Sequence, residues 1–387
     1  MKQRIAVIGA GVVGSAVFER LAKEGHEVTL YDRSAPGSGS SAASFAWINA
    51  NNKVPETYFE LNREAMEEHV RRRNEGSRAF YQTGYYELAT AEEHVNRLQS
   101  KVSRLADWGY DVQVLDNAAA RQALPVFAPA AIGSFNAFFP HEGYCDIPRF
   151  IAECIDDGRR NGGHFVLDEV MEVEAKTGSR IIHLKRGPKQ AYDIVVLAVG
   201  RWTQKVSQTC GITVPMSDAV AVGAPNLGFL AVTEPAPVLS DSVVTTSTLS
   251  LRPEGHGRLM LQALQLDVQA DPSREYSRTG PIAQEFNQYL SNCLNTGFPV
   301  SVEAVKVGYR PLSLDGLTIA GFADTAATLY VIATHSGVTL APLLARFAAA
   351  EVGGKEVPAL GPFRPSRFNS SMERTVPAPA ARAAGDQ

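Results

Sequence analysis

One stretch near the N-terminus, IAVIGAGVVGSAVFERLAKEGHEVTLYDR, constrains the fold more than any other part of the sequence. Its first residues, Ile5 to Ile8, form a short apolar run of the kind that lies buried on both faces in a parallel sheet. A glycine-rich turn follows, then a helical apolar stripe, then a second apolar run that ends at Asp32. This order predicts a strand, a turn, a helix and a second strand.

Three glycines, Gly9, Gly11 and Gly14, follow the first apolar run in the spacing G-x-G-x-x-G. In this context the first permits a tight turn, the second lets the backbone approach a pyrophosphate, and the third lets the helix pack on the strand. The helix N-terminus adds free N–H groups and the positive end of its dipole. Asp32 lies close to the spacing of roughly 20 residues expected for the acid that binds a ribose. We therefore predict a dinucleotide site.

Two other interpretations explain less of this stretch. An ordinary strand and helix with incidental glycines accounts for neither the glycine spacing nor the position of the acidic residue. A secretion signal is suggested by Lys2 and Arg4 before an apolar run, but glycines interrupt that run and charged residues follow from Glu19 to Glu24.

Length and charge limit the classes of function that are open to the chain. Its 387 residues suit two domains, and no apolar stretch is long enough to cross a bilayer. A net charge of −4 without a basic stripe argues against nucleic acid as a partner.

The cysteines and histidines show no metal or redox pattern. None of the four cysteines belongs to a C-x-x-C pair, which argues against a zinc site and a dithiol site. The eight histidines lack H-E-x-x-H or a comparable spacing, so we predict no metal. A reducing compartment fits this cysteine usage, and we expect a cytoplasmic location.

Parallel-sheet signals recur at the start, middle and end of the chain, and an alternating Val, Thr, Leu and Ser pattern between residues 216 and 275 favours antiparallel strands. We predict an α/β fold with a Rossmann-like dinucleotide-binding domain built from discontinuous segments and an inserted α+β substrate domain that has an antiparallel sheet. The dinucleotide-binding domain takes residues 1–80, 140–215 and 305–366, the substrate domain takes 81–139 and 216–304, and 367–387 form a disordered tail.

FAD is favoured over NAD by a second strand, turn and helix near the far end of the chain, LYVIATHSGVTLAP. Gly337 lies between the strand and the helix, whose N-terminus carries a partial positive charge. Beside an isoalloxazine ring this charge stabilises the negative edge of the reduced flavin. The alternative is that Gly337 is only a turn residue.

Several stretches together resemble the D-amino-acid-oxidase-like FAD oxidoreductases, the group that includes glycine oxidase, sarcosine oxidase and D-amino-acid dehydrogenases. They appear in the order of that family and cover the chain up to about residue 355. The stretches are GAGVVG…YDR, the serine-rich run Ser38 to Ser44, AVGRWT at Ala198 to Thr203, GYRPLSLDGLTIAG at Gly308 to Gly321, and HSGVTLAP at His335 to Pro342.

The resemblance implies an FAD-binding domain, a substrate domain whose antiparallel sheet covers the flavin, and oxidation of a C–N bond. The residues that it implies for the cofactor are Gly9, Gly11, Gly14, Asp32, Arg33, Ser40, Ser41, Val170, Gly200, Trp202, Gly337, Val338 and Thr339. Sarcosine-oxidase-type members hold flavin covalently through a cysteine at the position of Gly308. No cysteine lies there, so we expect noncovalent FAD.

An amino-acid substrate needs a cation for its carboxylate, and a guanidinium fork suits a carboxylate well. Arg310 occupies the position of the carboxylate-binding arginine of glycine oxidase, according to the resemblance. The alternative is a structural ion pair between Arg310 and Asp315 or another acid. Arg252 is the second candidate, unless it faces solvent at the end of its strand.

The resulting chemistry is transfer of the α-hydrogen as hydride from a neutral amine to flavin N5, for which positioning supplies much of the rate. The imine then hydrolyses. His335 is placed in the catalytic set as a contact of flavin or substrate, with a structural, hydrogen-bonded histidine as the alternative. Tyr309 is placed there as a hydrogen-bond donor to the carboxylate, with packing on the sheet as the alternative. Tyr85, Tyr86, Trp47 and Lys306 are further candidates that packing or exposure would equally explain.

The leading hypothesis is an oxidase or dehydrogenase that acts on a D-amino acid, a glycine derivative or an N-alkyl or cyclic amino acid, with oxygen or another compound as electron acceptor. One alternative is FAD-dependent oxidation of a C–OH group, which would need phosphate-binding cations that do not cluster in the sequence. The other is a flavin-bearing subunit that relays electrons within a complex.

Overall fold

The computed structural model describes residues 2–217, 219–237 and 240–368. Its α-helices are α1 (Val12–Lys23), α2 (Glu56–Asn74), α3 (Glu92–Asp107), α4 (Asn117–Ala123), α5 (Ile147–Arg160), α6 (Thr203–Thr209), α7 (Pro281–Cys293) and α8 (Gly337–Val352). Short 3₁₀ helices cover Ser40–Ala42, Pro129–Ala131, Gly200–Trp202, Leu264–Gln269, Pro358–Phe363 and Pro365–Phe368.

The strands of the first half are β1 (Arg4–Ile8), β2 (Glu27–Asp32), β3 (Trp47–Ile48), β4 (Phe80–Tyr81), β5 (Tyr85–Ala89), β6 (Gln113–Leu115), β7 (Phe135–Phe139), β8 (Gly143–Cys145), β9 (His164–Leu167) and β10 (Val170–Lys176). The strands of the second half are β11 (Ser179–Leu184), β12 (Gln190–Tyr192), β13 (Ile194–Leu197), β14 (Leu227–Thr233), β15 (Val243–Thr245), β16 (Ser250–Gly255), β17 (Arg258–Gln262), β18 (Val302–Tyr309), β19 (Ile319–Phe322) and β20 (Leu329–Ala333).

The first large sheet is the predicted Rossmann-like sheet, with the strand order β19-β20-β13-β1-β2-β9. All neighbours are parallel except β19 and β20. Alternate residues of β1 enter different cores: Ile5 and Val7 pack with the helices α1 and α8, whereas Ala6 and Ile8 pack with the small sheet β10-β11-β12. Burial on both faces explains why β1 reads as a continuous apolar run.

The second large sheet has eight strands in the order β18-β14-β17-β16-β15-β5-β7-β6. It is antiparallel, as predicted, except where β15 pairs with β5 in parallel. Phe229 and Leu261 face a core that includes Phe286 of α7, while Leu230 and Met260 face the core shared with the first sheet. The two sheets are therefore packed through one continuous apolar core.

The end of the described chain differs from the predicted disordered tail. Arg367 and Phe368 belong to a 3₁₀ helix, and the Nε atom of Arg367 lies 2.7 Å from a carboxylate oxygen of Asp315. The ion pair holds this helix against the turn after β18. Residues 369–387, the rest of the predicted tail, lie outside the described residues.

None of the helices in the described ranges has the length and apolar composition needed to span a bilayer.

Candidate flavin site

A cavity of about 550 Å³ lies where the carboxyl ends of β1, β2, β13 and β20 meet β14 and the end of β18. Ligands of parallel α/β sheets bind at the carboxyl ends of the strands. The volume is within the range of small-molecule and cofactor sites. The cavity is therefore in the place where a dinucleotide fold binds its ligand.

The three N-terminal glycines differ in what a side chain would meet. Gly9 has a φ of 103°, and a Cβ atom there would lie 2.5 Å from the carbonyl oxygen of Ala198. A Cβ atom at Gly14 would lie 1.8 Å from the carbonyl oxygen of Gly9. At Gly11 the nearest atom is Ser41 Oγ, at 3.2 Å. The fold itself thus requires Gly9 and Gly14, whereas Gly11 leaves room for a ligand in the cavity.

Polar groups gather around the start of α1. The Asp32 carboxylate accepts hydrogen bonds from the backbone N–H groups of Ala10, at 2.7 Å, and Ser34, at 2.9 Å. Ser41 Oγ accepts a hydrogen bond from Val12 N–H, and the buried Ser40 hydroxyl has no hydrogen-bond partner among the described residues. Buried polar groups without a partner are rare unless a ligand or water satisfies them. This arrangement fits a bound pyrophosphate and ribose.

Aromatic and cationic side chains form one end of the cavity. The guanidinium carbon atoms of Arg33 and Arg201 each lie 4.4 Å from the ring centre of Trp202. Gly200, with a φ of 55°, begins the 3₁₀ helix that carries Trp202, and Val170 contributes from the first residue of β10. Arg33 and Val170, predicted for the adenine, and Gly200 and Trp202, predicted to line the cofactor, all line this cavity.

The N-terminus of α8 borders the other part of the cavity. Gly337, Val338 and Thr339 all line it, and the Thr339 hydroxyl lies 3.4 Å from the backbone oxygen of Trp47. His69 Nε2 lies 2.9 Å from the carbonyl oxygen of Val338. Burial lowers the pKa of His69 to about 4, so the ring is neutral and donates this bond. The first turn of α8 is held by buried contacts, with its positive dipole end toward the cavity.

Fifteen of the sixteen residues predicted for the site line this one cavity, and the exception, Gly14, packs beneath the turn. Tyr309 and His335 are among the fifteen. Arg201 lies over the Tyr309 ring, with 3.7 Å from its guanidinium carbon to the ring centre. Of the further candidates, Trp47 lines the cavity, whereas Tyr85, Tyr86 and Lys306 do not.

Arg310 lines the cavity and is already paired with a carboxylate. Its NH2 atom lies 2.8 Å from Asp267 Oδ2, and its NH1 atom donates to the backbone oxygen of Leu227. Both charged side chains are about nine-tenths buried. The ion pair that was weighed as the alternative is therefore present, with Asp267 instead of Asp315.

Arg252 was the second candidate for the carboxylate, with exposure to solvent as the alternative. The structure agrees with neither expectation: Arg252 does not line the cavity, and it is only 4% exposed. Its guanidinium pairs with Glu254 and donates to the carbonyl oxygen of Phe45. Glu254, which follows two residues later on the same strand, therefore compensates the charge of the buried guanidinium.

Lys53 and Glu142 are buried ionisable side chains that the sequence did not predict. Lys53 is 4% exposed and lines the cavity, and Glu142 is fully buried. Lys53 stands in the polar run NANNK, which is typical of a solvated loop, and Glu142 stands in a turn between two strands. Neither position carries a sequence signal of burial.

The sequence matches the family described as DAO, FAD dependent oxidoreductase, over residues 4–351. It is similar to a protein named glycine oxidase from Geobacillus kaustophilus, with 25% identity over 94% of this chain and 96% of that one.

Solved structures show the same fold. The structure of glycine oxidase from Geobacillus kaustophilus has a TM-score of 0.82, 22% identity, and coverage of 95% of this chain and 99% of that one. The L-proline dehydrogenase from P.horikoshii has a TM-score of 0.82, 20% identity, and coverage of 95% and 98%. The iminodiacetate oxidase from Chelativorans sp. BNC1 has a TM-score of 0.77, 19% identity, and coverage of 94% and 98%. With the glycine turn, the cavity and the family match in agreement, the chain belongs to the DAO family of FAD-dependent oxidoreductases.

Proposed function

We propose that this chain oxidises the C–N bond of an amino acid or a related amine. The substrate class includes D-amino acids, glycine derivatives and N-alkyl or cyclic amino acids. The observation that carries the proposal is the single cavity that runs from the glycine turn, past the N-terminus of α8, to the wall formed by β14 and β18. The names of three similar proteins support it, since glycine, proline and iminodiacetate are all amino or imino acids.

The cofactor would be held by residues already described. Gly11 and the N-terminus of α1 would face the pyrophosphate, and Asp32 would accept hydrogen bonds from the ribose. Trp202 and Arg33 lie at the adenine side. When bound, FAD supplies a hydride acceptor at N5 of its ring. The N-terminus of α8 would stabilise negative charge on the bound ring, and it would need no titrating group to do so.

The substrate part of the cavity combines apolar walls with a few polar groups. Phe229, Leu230, Leu264 and Trp47 are among the apolar residues that line the cavity. The amine enters as the neutral form and its α-carbon is held against the flavin position, which lowers the barrier by orientation. The imine product is released to water and hydrolyses to a carbonyl compound and ammonia or an amine.

Arg310 remains a candidate for the substrate carboxylate because it lines the cavity. Asp267 competes for the same guanidinium nitrogens. A substrate carboxylate at this place would share the arginine with Asp267, which weakens the attraction.

The proposal is tested with purified, FAD-loaded protein and a panel of amino acids, simple amines and alcohols, in air and with an artificial electron acceptor. We expect a carbonyl product, together with ammonia or a primary amine, from one or more amino acids. Formation of product only from alcohols or glycerol phosphates would contradict the proposal.

A further inference from the structure

Lys53 lies in the segment between β3 and α2 and faces the same cavity as the first turn of α8. Lysine is rarely buried unless its ammonium group has a partner. With 4% of its surface exposed, Lys53 places a positive charge on the wall that also carries Trp47 and Asn49.

Glu142 attracts Lys53, but both of its carboxylate oxygens already accept hydrogen bonds from other groups. They accept hydrogen bonds from the Trp47 indole, at 3.0 Å, the Tyr110 hydroxyl, at 2.8 Å, and the Asn51 side-chain amide, at 2.7 Å. The backbone N–H groups of Ala50 and Asn51 supply two more bonds. Glu142 therefore fixes the position of this wall of the cavity without giving Lys53 a hydrogen bond.

Two effects act on the pKa of Lys53, burial and the charge of Glu142. Burial lowers the pKa of Lys53 to about 8, and the charge of Glu142 partly opposes that shift. Within the described ranges, no hydrogen bond contributes to the pKa of this ammonium group. A buried ammonium without an acceptor gains a strong charge-assisted bond when an anion enters.

The other cations of the cavity have different neighbours. Arg33 and Arg201 both stack on Trp202, and Arg201 also lies over the Tyr309 ring. Arg310 is bonded to Asp267. Lys53 differs from Arg310, because no carboxylate of the described residues lies within hydrogen-bond distance of its ammonium group.

We propose that the Lys53 ammonium group binds the carboxylate of the substrate, and that Glu142 is a positioning residue that holds the Lys53 wall. The inference rests on the proposed function, because it takes the substrate to be an amino acid. According to this inference, Arg310 forms part of the cavity wall and stays paired with Asp267 when substrate binds. An amine without a carboxylate would gain nothing from Lys53.

The test measures ligand binding to the FAD-loaded enzyme through the change in flavin absorbance, so that it does not depend on turnover. The ligands are a carboxylate analogue of the best substrate that lacks the amine, and the corresponding amine that lacks the carboxylate. The variants are Lys53→Met, Lys53→Gln, Lys53→Arg and Arg310→Met, with Lys176→Met on β10 as a control for loss of a distant lysine. FAD content and thermal unfolding are measured for each.

We expect Lys53→Met and Lys53→Gln to weaken carboxylate binding by about thirtyfold or more, the usual effect of losing one member of a buried charge pair. Amine binding should change by less than about threefold, and Lys53→Arg should restore most of the carboxylate affinity because it keeps the charge. Lys176→Met should leave the ratio of the two affinities unchanged, and Arg310→Met should change that ratio less than Lys53→Met does.

Two results would overturn the inference. One is carboxylate binding within about threefold of wild type in an FAD-loaded Lys53→Gln enzyme, above all if Arg310→Met abolishes it. The other is equal loss of amine and carboxylate binding in both neutral Lys53 variants. A wild-type enzyme that binds the carboxylate but oxidises no amine would instead contradict the proposed function and leave the role of Lys53 intact.

Discussion

At the scale of single residues, the fold requires Gly9 and Gly14 of the glycine turn, whereas we expect the cofactor to require Gly11. Gly11→Val should fold but lose FAD, because the new side chain extends into the cavity and meets only Ser41 among the described residues. Gly14→Val should instead destabilise the protein, since its Cβ atom would collide with the backbone of Gly9. FAD absorbance per chain and thermal unfolding of both variants provide the comparison. Full FAD content in folded Gly11→Val would remove this residue from the cofactor site.

A second prediction concerns the bond between protein and flavin. None of the described residues that line the cavity is a cysteine, and Cys145, Cys154, Cys210 and Cys293 are buried elsewhere. We expect acid precipitation of the holoenzyme to release all of the flavin into the supernatant. Yellow colour that stays in the washed pellet would show a covalent link and disprove the prediction.

The sequence predicts residues best where backbone geometry limits the choice of amino acid. Gly9 and Gly14 are fixed by contacts of less than 3 Å that any side chain would make, and such constraints are visible as a spacing. Lys53 and Arg310 could not be resolved in this way, because their roles depend on Glu142 and Asp267, which come from distant parts of the chain. Charge pairs formed by tertiary contact leave no local pattern.

At the scale of secondary-structure elements, a buried charge network joins α3 to β5. Glu87 of β5 is 1% exposed, and its two oxygens lie 3.0 Å from His94 Nε2 and 2.6 Å from Lys101 Nζ. Burial alone would raise the pKa of Glu87, but the charges and hydrogen bonds of Lys101 and His94 lower it to about 2. The network therefore stabilises the helix on the sheet while Glu87 is ionised.

Glu87→Gln should lower the free energy of unfolding by about 3–5 kcal/mol, because it leaves the buried Lys101 without its carboxylate. Glu93→Gln on the exposed face of α3 is the matched control and should stay within about 0.5 kcal/mol of wild type. Urea unfolding followed by circular dichroism measures both. A loss below about 1 kcal/mol for Glu87→Gln would show that the network contributes little.

The same network predicts a direction for acid sensitivity. The folded pKa of Glu87 lies below its ordinary value of 4.5, so its contribution is complete above that pH. It is lost as the pH falls from about 4.5 toward about 2. The difference in stability between wild type and Glu87→Gln should therefore shrink over that range. A difference that stays constant down to pH 2 would contradict the assignment.

Strands and helices with a clear pattern of apolar residues were predicted well. The strands β1 and β13 and the helix α5 follow from apolar runs and a helical stripe. The parallel pairing of β15 with β5 was not predicted, since the two strands come from different inserted segments and nothing local fixes their relative direction. Strand partners distant in sequence are set by the shared core.

At the scale of the whole molecule, we propose the predicted division into a discontinuous FAD-binding domain and an inserted substrate domain. One boundary is better placed after β18, because that strand pairs with β14 over its whole length and belongs to the eight-stranded sheet. The cavity then lies between the two domains, where each supplies one side of the site.

The most direct test of this account is anaerobic reduction of the bound flavin by amino acids. FAD-loaded enzyme is mixed in the absence of oxygen with the best amino acid of the panel, in its ordinary form and with deuterium at the α-carbon. We predict that the flavin absorbance is lost with both forms and that the deuterated substrate reacts more slowly, because the α-hydrogen is transferred in the reduction step. Flavin that no amine or amino acid reduces, in a protein with full FAD content, would contradict the central claim.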